Sequence, residues 1–486
     1  MWKRKIEEPR RKVKAVCTSS RVPIVLTIIF QCFLRAELLK PPDSPNGVSV
    51  LQHDLSAHTA TRPGDPTPVS RNLNPLMHPF SRARERTRAL NAAKMDRMFA
   101  KPFVGALEGH IDAVEVLAKQ GDSLSTVASG SWDGGVMVHN LSQRTHIARL
   151  PQAHKGKVTG LCFAGDSRLL SCGVDRNVKL WKIASDEPLN VFPGKYAFNS
   201  IDHQRSSSLF ATASTLVQIW DETKSAPISN LTFPTSTETI SSVRFNLSES
   251  SILASVGSDR TFTLYDIRTG KAERRVVMQM RANALSWSPT FPTNILLASE
   301  DHNLYAFDIR RLNAPSLIYK GHVAAVMSCD WSPTGTEFVS GGWDRTVRIW
   351  QTGQGHSPEV YHTKRMQRVT STLFTNDARF VLSGSDDGNV RIWKGKASER
   401  LGIVTARERA AIEYRSSLVD RWKMDREVGK VVRTRHLPKP VYAANKLKNT
   451  MLESRRVKEE RRRKHTRAGE SKPKSERKKV ILAEQS

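Results

Sequence analysis

His322, Ser340 and Asp344 fall within the stretch from Gly321 to Trp350, "GHVAAVMSCDWSPTGTEFVSGGWDRTVRIW". A histidine, a serine and an aspartate are the parts of an acyl-transfer site, in which the imidazole takes the serine proton and the carboxylate orients the ring. The set returns along the chain. His110, Ser129 and Asp133 form one copy, and His154, Ser171 and Asp175 another, with Trp181 standing where Trp350 stands. Ser255 with Asp259, and Ser383 with Asp387 and Trp393, are partial copies. An active site is built once, so a constellation that recurs is a fold element. No Gly-rich phosphate loop, H-E-x-x-H or nucleophile elbow accompanies it. The chain reads as a non-enzyme with no cofactor, no metal and no small-molecule substrate.

The elements that position these groups follow from their period. Asp followed six residues later by an aromatic ends at Trp181, Tyr265, Phe307, Trp350 and Trp393, with degenerate copies ending at His139 and Trp220. Successive ends lie 42, 39, 45, 42, 43 and 43 residues apart. Each unit has an apolar strand, a turn, an alternating strand, an Asp-led turn and a third strand. That is the pattern of WD40 repeats, with four short strands per propeller blade. The fold expected is all-β: a seven-bladed WD40 β-propeller with basic helical and disordered extensions at both ends. Within a blade, His322, Ser340, Asp344 and Trp350 would form one buried hydrogen-bonded chain that leaves no polar group unpaired. Ring closure stays open, since either Lys101 to His110 or Glu399 to Val404 could supply the outer strand of the seventh blade.

The chain has 486 residues, 38% of them apolar, and a formal charge of +29. That charge is uneven. Residues 1–100 carry 18 Lys/Arg against 8 Asp/Glu, and residues 394–486 carry 28 against 12, leaving 30 against 27 in between. A near-neutral body with basic flanks points to a polyanion held by the flanks, nucleic acid before an acidic protein or a membrane. The five cysteines (Cys17, Cys32, Cys162, Cys172 and Cys329) have no C-x-x-C spacing, so neither a disulfide framework nor a zinc site is supported. The run Val22 to Leu39 is interrupted by Gln31 and Arg35 and is too short to span a bilayer, so no membrane role is expected.

The segments expected are 1–70, an uncertain N-terminal stretch; 71–100, with a helix from Ala83 to Phe99; 101–398, the propeller; 399–465, a basic helical region; and 466–486, a disordered basic tail. In the first helix Leu90, Ala93, Met95 and Met98 share a face, read as packing on the propeller's side rather than as an RNA contact. Ala411, Tyr414, Leu418 and Trp422 form a second stripe at helical spacing. "RTRHLPKPVY" must extend or turn at its prolines. The charged helix from Met451 to Arg467 holds Arg455, Arg456, Arg461, Arg462, Arg463 and Lys464, candidates for phosphate contacts or a nuclear address.

In the seventh repeat, "VYHTKRMQRV" aligns Lys364 and Arg365 with the Gly-His positions of the sixth. A buried Lys-Arg pair would be costly, so these side chains are expected at the surface with Arg368. They form either a solvated loop, ion-paired with acids such as Asp386, or a contact for RNA or an acidic assembly partner. Trp132 and Trp343, each before a turn aspartate, are read as partner hot spots, with packing between blades as the alternative.

"LNPLMHPFSRARERTRALNAAKMDRMFAKPF", "YHTKRMQRV", "GSDDGNVRIWKGKASERLG" and "RHLPKPVY" closely resemble the suppressor-of-fibrillarin WD-repeat family, from about Arg71 to about Arg463. The resemblance implies a nucleolar scaffold of the small-subunit processome. Its implied partners are pre-ribosomal RNA, a box C/D small nucleolar ribonucleoprotein and other processome proteins, in early processing toward 18S RNA. The chain departs from the family between Cys17 and about Val50, an insertion read as translated intron or a misassigned exon. A second function class is a substrate receptor of a cullin-RING ubiquitin ligase. Such receptors resemble one another in W/Y/F-D-x-R, present here as "YDIR" (Tyr265 to Arg268) and "FDIR" (Phe307 to Arg310).

Overall fold

The computed structural model describes residues 77–165, 167–183, 185–231, 239–467 and 470–485. The insertion Cys17–Val50 and the rest of 1–70 lie outside them. Seven antiparallel sheets follow one another in chain order, as the repeat predicts. The sixth is representative: strands Val326–Trp331, Glu337–Gly342, Val347–Gln351 and Glu359–Tyr361 pair in sequence.

The second and third strands are covered on both sides by neighbouring blades, so they are buried almost throughout, the second through a run of apolar and small residues and the third with Arg348 buried among apolar ones. Val339, Val347 and Ile349 of the sixth blade pack with Val369, Phe374, Val381 and Trp393 of the seventh. The approach is close. A Cβ on Gly341 would lie 2.6 Å from Val369 Cγ1 and 2.7 Å from Thr372 Cγ2.

Strand Phe103–Leu107 closes the ring, pairing antiparallel with Val390–Lys394 from Phe103 opposite Trp393 to Leu107 opposite Val390. An N-terminal strand thus completes the last blade, and Glu399 to Val404 contributes none.

Helix α1, Ser81–Met98, packs against α2, Ala406–Arg421, and α3, Arg426–Arg433. Thr405 caps α2 by accepting from Glu408 N–H at 3.3 Å, and Asp425 caps α3 by accepting from Val428 N–H at 3.5 Å. The face α1 buries matches the expected one in part, with Ala93 buried and Leu90 partly buried against the same cluster. Ala89 and Ala93 are inside against Leu418 and Val428, and Ala92 is buried too, whereas Met95 and Met98 are exposed. Small side chains let three helices approach, and the methionines would hold them apart. In α2 Leu418 is buried as expected, but Tyr414 is exposed.

Helix α4, Lys439–Lys464, begins earlier than the charged run suggests. Pro438 is its cap residue, and Pro440 sits in the first turn, where a missing N–H removes no helical bond. The tail also departs from the disorder expected of 466–486. It forms α5, Glu476–Lys479, and then strand Ile481–Gln485, which pairs as a fifth strand on Lys271–Met278 of the fourth blade. No helix among the described residues is long and apolar enough to cross a membrane.

Candidate partner and nucleic-acid interface

In the sixth blade the recurring polar set forms one chain. Trp350 Nε1–H donates to Ser340 Oγ at 2.7 Å, Ser340 Oγ meets His322 Nε2 at 2.7 Å, and His322 Nδ1 meets Asp344 at 2.9 Å. With the imidazole proton on Nδ1 facing the carboxylate, the serine hydroxyl donates to Nε2 and accepts from the indole. Burial pushes the His322 pKa down against the pull of Asp344. Burial acts to raise the Asp344 carboxyl, but His322 and Arg348 beside it hold it well below the usual range. A serine whose hydroxyl is held between two buried groups is a brace. It pins the second and third strands to the connection before the first, and so sets the turns that carry Trp343 and Arg345.

The second blade repeats the arrangement through His154, Ser171, Asp175 and Trp181. The others vary it. In the first, Ser129 Oγ lies 2.7 Å from both His110 Nε2 and His139 Nε2, with His139 in the tryptophan's place, and His110 Nδ1 stands 3.9 Å from Asp133. Burial, with His146 and His110 nearby, lowers the His139 pKa to about 3. In the fourth, Ser255 bonds Tyr265 and Asp259 holds Arg275 at 2.6 Å. In the seventh, Trp393 Nε1–H donates to Ser383 Oγ at 2.8 Å, and Asp387 pairs with Arg391, which takes over the carboxylate the absent histidine would have held.

One face of the ring carries the turns between second and third strands together with the connections that lead into each first strand. Trp132 and Trp343 stand on it, 42% and 44% exposed. Each is covered by a cation from the next blade. Lys157 Nζ sits 4.7 Å from the Trp132 ring centroid and Arg368 Cζ sits 4.7 Å from that of Trp343. Lys157 and Arg368 each precede the first valine of their blade, so aligning the repeats was the signal that could have revealed Lys157, which sequence reasoning missed.

The two patches differ in charge balance. Glu115 accepts from Trp132 Nε1–H at 2.7 Å and pairs with Lys157 at 3.1 Å, which closes that patch on itself. Lys364, Arg365 and Arg368 are exposed, and none makes an ion pair among the described residues, Asp386 included. Between them Met366 is buried in the core of the sixth and seventh blades and holds the loop down. The structure therefore brings Trp343, Arg368, Lys364 and Arg365 onto one face.

The tail arginines are separate from this patch. On α4, Arg455, Arg456, Arg461, Arg462 and Lys464 are exposed. Arg456 pairs with Glu460 at 3.5 Å and Arg463 with Glu459 at 3.0 Å, leaving Arg455, Arg461, Arg462 and Lys464 without an ion pair among the described residues. Helix α4 is moored at Lys448, whose Nζ donates to His322 O at 3.1 Å and whose pKa burial lowers. Neither the mooring lysine nor the anchor of α1, Arg97 to Glu359 at 3.2 Å, carries a motif visible in sequence. On the opposite face, Arg268 lies along Asp266 and Arg310 along Asp308 through paired hydrogen bonds, with both guanidiniums largely exposed.

Family models match this division. Residues 145–182, 313–351 and 354–394 match the WD domain, G-beta repeat, and residues 395–481 match the Sof1-like domain. Protein SOF1 of Saccharomyces cerevisiae is 42% identical over 426 residues, covering 81% of this chain and 86% of its own. The chain belongs to the Sof1 family of WD40 proteins. Other members include DDB1- and CUL4-associated factor 13 of Danio rerio, 44% identical over 82% of this chain and 91% of its own. The Homo sapiens protein of the same name is 43% identical over 85% and 94%. The WD40 propeller domain of Doa1 superposes with a TM-score of 0.53 at 21% identity, covering 60% of this chain and 96% of that one, a likeness of fold. In this Sof1-family chain the family-specific match covers α2 to α5, the helices that follow the propeller, and so spans the tail arginines.

Proposed function

We propose that this Sof1-family chain is a non-catalytic scaffold of the small-subunit processome in the nucleolus. It would bind protein partners through the propeller and pre-ribosomal RNA with its box C/D ribonucleoprotein through basic surfaces, supporting early cleavage toward 18S RNA. The observation that carries the reading is the arginine-rich end of α4, exposed and moored to the ring, inside the Sof1-like region. The His-Ser-Asp sets are consumed in bracing blades, which supports a binding role.

The test is ultraviolet crosslinking of RNA to the full chain beside one with Arg455, Arg456, Arg461, Arg462, Arg463 and Lys464 changed to glutamine. Discrete crosslinks in pre-ribosomal RNA should fall in the variant. With four of these cations lacking ion pairs and ~0.7 per phosphate contact on single-stranded RNA, the salt slope of binding should drop by roughly 3. An unchanged slope and crosslink pattern would assign the charge to import or to acidic proteins.

A second reading is a substrate receptor of a cullin-RING ligase. Two relatives carry DDB1 and CUL4 in their names, and Arg268 and Arg310 stand exposed on adjacent blades in aromatic-Asp-x-Arg sequences. Stable copurification with the ligase adaptor, lost on Arg268→Glu with Arg310→Glu, would favour it.

A further inference from the structure

The outer strand of the fourth blade, Lys271–Met278, has eight residues, whereas among the described residues no other outer strand exceeds six. Its free edge takes the C-terminal strand: Met278 faces Ile481, Val277 faces Ala483, Val276 faces Glu484 and Arg275 faces Gln485. Buried apolar side chains contribute at one end only. Val480 is buried and Ile481 partly buried in the core of the fourth and fifth blades, while Leu482 to Gln485 are exposed.

At the other end, Glu484 lines a cleft of about 470 Å³ with Arg274, Arg310, Arg311, Leu312 and Asn313. Arg310 is held by Asp308, and Arg274 donates to Ile309 O at 3.3 Å. Arg274 and Arg311 have no carboxylate within ion-pair distance among the described residues. The cleft therefore holds an excess of guanidinium facing a single carboxylate brought by the strand. Backbone pairing supplies affinity, an apolar pair fixes the register and a carboxylate shares a cleft with arginines without an ion pair to any of them, the ingredients with which strand-addition sites read a peptide.

We propose that this edge and its arginine cleft form a docking site for an extended peptide strand with two apolar residues followed, three positions on, by a carboxylate. The tail occupies the site in cis. A partner protein's strand of the same chemistry takes its place when the tail is drawn away. The exchange is feasible because the strand is tethered by residues 465–475, which carry no helix or strand among those described, and is gripped by few side chains. The ion pairs Lys320 to Glu476 and Lys479 to Glu459 hold α5 beside it.

The test uses the full chain with a site-specific protease sequence inserted between Arg467 and Ser475. After cutting, the C-terminal fragment should co-elute with the propeller and be displaced by a labelled synthetic peptide of residues 475–486. The Glu484→Lys peptide should bind at least tenfold more weakly, and the uncut chain should bind the labelled peptide at least tenfold more weakly than the cut one. Loss of the fragment with no binding of the peptide would overturn the proposal. Equal binding of the Glu484→Lys peptide would overturn recognition by the arginines, and equal binding to the uncut chain would place the peptide elsewhere.

Discussion

Ser340→Ala and Ser383→Ala remove the same hydroxyl from equivalent positions, yet the structure assigns them different costs. Ser340, His322 and Trp350 are buried to 1% exposure or less. Removing the Ser340 hydroxyl leaves His322 Nε2 without a donor and Trp350 Nε1–H without an acceptor. Each orphaned buried group costs roughly 1–3 kcal/mol, so the pair should cost about 4 kcal/mol. Ser383→Ala orphans Trp393 Nε1–H alone, since Arg391 rather than a histidine engages Asp387, and should cost about 2 kcal/mol. Urea unfolding of each full-length variant gives the global loss, and amide exchange in Glu337–Gly342 and Val347–Gln351 shows whether the sixth blade opens first. A loss for Ser340→Ala no greater than that for Ser383→Ala would refute the reasoning, because it would mean the histidine is not part of the brace.

Acid sensitivity should trace in part to His139. Its folded pKa of about 3 lies below the unfolded 6.5, so the unfolded chain binds the proton first. Stability then falls as pH drops from about 6.5 toward 3, at up to ~1.4 kcal/mol per pH unit. His139→Tyr, which copies Tyr265 of the fourth blade, should flatten that limb of a stability-versus-pH curve, and an unchanged slope would show that His139 is not buried neutral. Gly134 turns at φ +80°, and a Cβ there would lie 2.3 Å from His154 O, so Gly134→Ala should lower the urea midpoint by the equivalent of more than ~1 kcal/mol. Arg368→Glu removes an exposed cation from the Trp343 ring, worth ~0.5–1 kcal/mol, so it should leave folding nearly intact while weakening recovery of the chain with pre-ribosomal particles. Undiminished recovery would count against that face.

Local chemistry alone determined the propeller. A seven-fold period of short strands with recurring His, Ser, Asp and Trp has one economical outcome, because each blade buries its faces only against the next and its polar groups only within itself. The surface position of Lys364 and Arg365 followed from the same logic, since a blade interior cannot hold an unpaired cation pair. Tertiary structure decided what depends on who the neighbour is. Phe103–Leu107 closes the ring because the open edge of Val390–Lys394 needs partners, a demand that propensity does not record. Ala89 and Ala93 face inward because two other helices press on α1, although the methionines are the more apolar residues. The basic tail, by composition a chain that should stay unfolded, ends in a strand because the fourth blade offers a long unpaired edge beside unneutralised arginines. Charge and composition describe a segment in water, and an edge already in place changes the comparison.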